Sequence, residues 1–138
     1  MKQVLLFMLV FMFSCNRNDN DKLFIKNNEF IFEPGVYYHK RVKIIVKEFK
    51  DGSLIYGLAD KRNNIIYQQN INQSFSNNGN WIIFIDEKDN VWFYTSDLQL
   101  TTVLIKEEVE GTYTYKKITD STFAIPNKMK SEIQKKTN

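Results

Sequence analysis

Residues 81–95, WIIFIDEKDNVWFYT, decide the fold. Two five-residue runs of aromatic and β-branched side chains, 81–85 and 91–95, flank a polar stretch, 86–90, made of residues that favour turns. Runs this short, bounded by turn residues, are strands, and their separation makes them an antiparallel hairpin. A five-residue loop fixes the pairing: Ile85 opposite Val91, Phe84 opposite Trp92, Ile83 opposite Phe93 and Ile82 opposite Tyr94. Side chains alternate along a strand, so one face carries Ile82, Phe84, Trp92 and Tyr94, and the other Trp81, Ile83, Ile85, Val91 and Phe93. Both faces are apolar, which predicts a central pair covered on both sides. The competing reading leaves Trp92 and Tyr94, with Phe84 and Ile82, on an open surface as a binding site for a protein or a glycan, because Trp and Tyr dominate binding hot spots.

Working upstream, Phe24, Phe30 and Phe32 precede the turn signal Pro34-Gly35, which leads into an apolar run at 36–38. Val42, Ile44 and Val46 alternate with Lys43 and Lys47 in the manner of a half-buried strand. Asp51-Gly52 then predicts a tight hairpin into 53–58, and 60–64 (DKRNN) turns the chain into 65–68. A polar segment follows at 69–80, with Ile71 and Phe75 as its anchors, and it is the longest candidate loop. Downstream, 98–106, 112–118 and 122–125 read as strands rich in Thr and β-branched residues, with turns at Glu110-Gly111 and Asp120-Ser121. No segment between 23 and 125 keeps a helical period for three turns. The expected fold class is therefore all-β: an antiparallel meander of eight or nine short strands forming a small barrel or a two-layer sheet. A polar, charged tail closes the chain at 127–138, with Met129 and Ile133 as its apolar anchors and at most a turn or two of helix.

The beginning of the chain has a different character. In MKQVLLFMLVFMFSC, Lys2 supplies a positive start, 4–13 is an unbroken apolar run, and Ser14 puts a small side chain before Cys15. Ten apolar residues reach about 15 Å as a helix, roughly half of a bilayer's hydrocarbon core, so the run is too short for a stable span. The stretch resembles a bacterial lipoprotein signal with its lipobox, Met12-Phe13-Ser14-Cys15. The resemblance implies removal of 1–14 and lipidation of Cys15 as the new first residue. Cys15 is the only cysteine of the 138 residues, so no internal disulfide competes for its sulfur. A multi-chain acyl anchor holds a membrane stably where one chain would not. Asn16 follows the cysteine, which in such proteins implies the outer membrane, and Asp19, Asp21 and Lys22 make 16–22 similar to the acidic export signal of Bacteroidetes surface lipoproteins.

The chain thus divides into a signal peptide (1–14), a lipid-anchored polar linker (15–22), a single β domain (23–126) and the charged tail (127–138). The formal charge of +3 sits in the wrong places for nucleic acid. Lys2 leaves with the signal, and the tail holds Lys128, Lys130, Lys135 and Lys136 against Glu132, so the domain between is close to neutral. No nucleic-acid partner is expected.

Motifs for catalysis are missing from the sequence. His39 is the only histidine, which excludes paired-histidine zinc motifs, and beside Lys40 and Arg41 it reads as a surface residue. No nucleophile elbow, phosphate loop or dinucleotide fingerprint occurs, and no cofactor is implied. Asp86, Glu87 and Asp89, with Asn90, could in principle ligate Ca²⁺, but Lys88 lies among them and the glycine of a calcium loop is absent, so the stretch reads as a solvated hairpin tip. Glu107, Glu108 and Glu110 read as an exposed strand end. Asp86, Asn90, Val91 and Trp92 are similar to a signature of propeller repeats in bacterial sensor proteins, with only 57–65 offering a second copy. A chain this short cannot build a propeller, so the likeness reduces to shared hairpin chemistry.

These features together predict a non-catalytic binding module on the outer envelope. It would be held to the membrane through Cys15 and engage a protein or glycan, with a toxin-binding, immunity-type role as one specialisation. A structural accessory lipoprotein of an envelope complex is the alternative, and a carboxylate-based envelope hydrolase the third reading.

Overall fold

The computed structural model describes residues 22–98, 100–119 and 124–138. The signal stretch, Cys15 and all of the linker but Lys22 lie outside the described residues, as do the Asp120-Ser121 turn and the start of the strand expected at 122–125. Eleven strands occur among the described residues: β1 (Leu23–Phe24), β2 (Phe30–Ile31), β3 (Gly35–His39), β4 (Val42–Glu48), β5 (Ser53–Asp60), β6 (Ile65–Gln68), β7 (Phe75–Ser76), β8 (Trp81–Ile85), β9 (Val91–Thr95), β10 (Leu100–Val109) and β11 (Thr112–Ile118). One helix, α1 (Asn127–Thr137), follows. The strands form two separate sheets with no closed barrel.

Each sheet is built on a run of consecutive hairpins. The first orders β1-β3-β4-β5-β6, with β7 also on β5, and the second orders β11-β10-β9-β8-β2. The hairpin at 81–95 pairs as its loop length requires, Ile85 with Val91 through Ile82 with Tyr94. Three pairings break the meander: β7 returns to β5, β1 runs parallel to β3, and β2 pairs with β8. Residues 23–39 therefore pass from the edge of the first sheet to the edge of the second and back.

The inner faces meet in one core. Ile44 and Val46 of β4 and Leu54, Tyr56 and Leu58 of β5 pack against Trp81, Ile83, Ile85, Val91, Phe93 and Leu104 from the second sheet. Phe75 is buried in this core against Trp81 and Phe93, whereas Ile71 is 48% exposed. The segment 69–80 is thus less of a loop than its polarity suggests: a 3₁₀ turn (Ile71–Gln73) and β7 interrupt it, and one of its two expected anchors carries it.

The outer face of the second sheet has its own cover. Phe84, Trp92 and Val103 form a second cluster with Met129 of α1, flanked by Phe30, Tyr94, Ile105, Ile118, Ile125 and Ile133. The C-terminal tail is therefore a docked helix of eleven residues, longer than the frayed turn or two read from its charge. Such a helix is marginal alone, and it forms because Met129 and Ile133, one turn apart, lie over a sheet face that would otherwise stay wet. Glu132 pairs with Lys135 at 3.1 Å, and Lys135 and Lys136 sit in the last turn where the helix dipole favours cations. Ala124 and Ile125 are not in a strand; Ile125 packs into the second cluster instead.

Candidate functional site

Two turns share one hydrogen-bonding scheme. Asp60 accepts from the backbone N–H groups of Arg62 and Asn64 and from Asn64 Nδ2, with Asn63 at φ 68°. Asp86 accepts from the N–H groups of Lys88 and Asn90 and from Asn90 Nδ2, with Asp89 at φ 65°. The partial sequence repeat is thus a repeated turn, in which an initial Asp and a final Asn tie down a residue in the left-handed region. The second copy adds one bond, from Trp92 Nε1 to Asp86 Oδ2 at 2.9 Å.

That left-handed position aims Asp89 away from solvent. Its carboxylate collects four donors from both sheets: Asn27 Nδ2 at 2.7 Å, His39 Nε2 at 3.0 Å, Lys40 Nζ at 2.7 Å and Lys106 Nζ at 3.0 Å. His39 ends β3 and Lys40 begins the turn that follows it, Lys106 lies on β10, and Asn27 lies in the crossing between β1 and β2. Burial pushes the Asp89 carboxyl up, but the bonds from Lys40, Asn27, His39 and Lys106 outweigh it and hold the group well below the usual carboxylate range. The hairpin tip is therefore no solvated turn at Asp89, although Glu87 and Lys88 are exposed.

His39 is equally far from its expected surface position, at 3% exposure. Its Nδ1 lies 2.9 Å from the Ile25 carbonyl and its Nε2 faces Asp89. Both ring nitrogens are thus engaged by acceptors inside the fold, and neither faces solvent. Sequence patterns could not find this histidine, because what buries it is a carboxylate fifty positions away.

A projecting ribbon is rooted on this cluster. β9 pairs with β10 only from Leu100 to Leu104, while β11 pairs with β10 out to Val109 opposite Thr112. Beyond Leu104 the ribbon leaves the sheet and turns at Glu110 (φ 52°) and Gly111 (φ 77°), where two consecutive left-handed residues match the twist of a two-residue hairpin. At its root Lys106 N–H donates to Asn90 Oδ1 at 3.0 Å while its ammonium holds Asp89. The Lys106 ammonium and the Arg41 guanidinium lie 4.2 and 5.1 Å from the centre of the Tyr113 ring. Burial, with the Asp89 charge adding to it, pushes the neighbouring Tyr115 phenol up. Glu107, Glu108 and Glu110 are exposed, as their sequence position suggests.

The aromatic face read as a possible binding site is occupied. Phe84 and Trp92 are buried and Tyr94 is half-buried in the cluster that α1 completes, and Ile82 is buried as well. They are placed together as the alternation requires, but as an interior and not as an open surface. Cys15 is outside the described residues. Among the described residues no group of His, Cys, Asp and Glu is arranged to hold a metal. No protein-family model, curated protein or solved structure matches this chain.

Proposed function

We propose that the protein is a lipid-anchored, non-catalytic binding module of the bacterial envelope, tethered through Cys15 and engaging a protein partner with the ribbon 106–115. The observation that carries the reading is the ribbon itself. A two-stranded ribbon without a supporting sheet is marginal in water, yet this one is rooted by the Asp89 cluster and by the half-buried Tyr113 beside Lys106 and Arg41, and it presents the exposed Val109 near its end. β11 is also the last strand of its sheet, so its outer edge can pair with an extended segment.

The test is capture on the full mature chain, run against lysate of the producing cell and against supernatant of competing bacteria. A second bait carries Val109→Asp and Tyr113→Ala, both on the ribbon, with its melting temperature checked first. Recovery of a stoichiometric partner on the first bait and its loss on the second supports the proposal. A partner that both baits retain equally, or no partner from either source, overturns it. A partner from competing bacteria points to the immunity-type role, and one from the producer's envelope to the accessory role.

A further inference from the structure

We infer that the sandwich edge formed by residues 22–35 rests on a lipid leaflet bearing anionic headgroups. The inference builds on the Cys15 anchor proposed above. Only seven residues separate Cys15 from Leu23. At about 3.3–3.6 Å per residue even a fully extended connection holds Leu23 within roughly 30 Å of the anchor, so the edge that begins there is held near the bilayer.

The chemistry of that edge is interfacial. Phe24 is 74% exposed, Leu23 45% and Phe32 44%, a concentration of large apolar side chains on one short stretch, whereas Ile65, Ile71, Leu98 and Val109 are scattered singly along the rest of the chain. The stretch is one continuous edge: β1 borders the first sheet, β2 borders the second, and Leu23 lies beside Gly35 where the chain returns. Lysines accompany the rings. Lys22 lies over Tyr38, whose ring packs at a tilt against Phe24. Lys136 of α1 lies 4.8 Å from the centre of Phe32, and Lys128 lies 6.0 Å from Phe30 and donates to the Asn28 carbonyl. Lys26 is exposed on the same edge. Against these four lysines stand Glu29 and Glu33, so the edge is net positive. Exposed aromatic and aliphatic side chains interleaved with lysines suit the headgroup region, where rings enter the acyl boundary and ammonium groups meet phosphates.

The test uses the lipidated protein reconstituted in phosphatidylcholine vesicles with and without phosphatidylglycerol, read by amide hydrogen exchange. Flotation with the vesicles is measured first and reports on the anchor alone. The inference expects exchange across 22–35 to slow severalfold on vesicles containing phosphatidylglycerol relative to the Cys15→Ser chain free in solution, with 100–118 unchanged. Phe24→Glu with Phe32→Glu changes only exposed positions and should abolish the protection while flotation persists. Wild-type protein that floats but exchanges at 22–35 as fast as the free chain overturns the inference and leaves the anchor standing. Protection that appears in native envelopes but never on vesicles overturns it in favour of a protein partner. Failure to float overturns the anchor, and the inference with it.

Discussion

Asp89 shows how one backbone dihedral governs a site. Held in the left-handed region by the Asp86 and Asn90 bonds around it, it turns its carboxylate inward to meet two ammonium groups, an imidazole and an amide. Asp89→Ala leaves His39 and Lys106 facing an emptied, mostly buried site, and we expect it to cost about 3–5 kcal/mol in urea-induced unfolding. The same group dictates an acid dependence. Its folded-state pKa lies below the unfolded value of about 3.9, so its contribution is complete above that value and fades as pH falls through it toward the folded one. The unfolding midpoint should therefore drop on acidification, and Asp89→Asn should flatten that part of the profile. A contrasting case is Tyr56, whose hydroxyl lies in the core beside those of Thr102 and Tyr67 but makes no hydrogen bond of good geometry. Tyr56→Phe removes a desolvated polar atom while keeping the ring whose centre lies 4.7 Å from that of Phe93. Its melting temperature should hold or rise, by an amount equivalent to at most about 1–3 kcal/mol.

At the scale of elements, hairpins were legible and covers were not. The loop length at 86–90, Asp51-Gly52 and Glu110-Gly111 each names a turn and hence a pairing, because turn chemistry is local. α1 was illegible as an element because its helicity comes from what it lies on: two apolar residues in a charged stretch say little until Phe84, Trp92 and Val103 are beneath them. The clue lay elsewhere, in the apolar second face of the central hairpin, which required some cover. The site was less legible still. His39, Lys40, Asp89 and Lys106 come from three hairpins, and nothing in their neighbours marks them as partners. Met129→Ala should cost about 2–5 kcal/mol if α1 stays docked, and less if it lifts away. Because Trp81 lies in the inner core and Trp92 under α1, Met129→Asp in a Trp81→Phe background should shift the remaining emission to the red while near-native strand content persists in circular dichroism.

For the whole molecule, the two-sheet arrangement follows from composition: a short chain with both faces of its central strands apolar needs one sheet against another and something further outside. What the sequence could not specify is how residues 23–39 lace the sheets together, because β1 and β2 are two residues each and carry no periodicity. Their pairings join Leu23 to Tyr37 and Phe30 to Phe84, the second across more than fifty positions. If Cys15 is the anchor, Cys15→Ala should move the protein from the membrane fraction to the soluble one with an unchanged melting temperature, since the first described strand begins at Leu23. Such an anchor would also decide where mechanical load enters. Tension between the envelope and a captured partner would reach the domain through Lys22 and meet β1 first, two residues of parallel pairing at the margin of a sheet. Behind it stands Ile25, buried in the core, with its N–H on the Tyr38 carbonyl and its own carbonyl on His39. A pull would peel the short strand and stop at that knot, lengthening the tether by a few residues while both sheets stay closed: a small shock absorber between the membrane and the load.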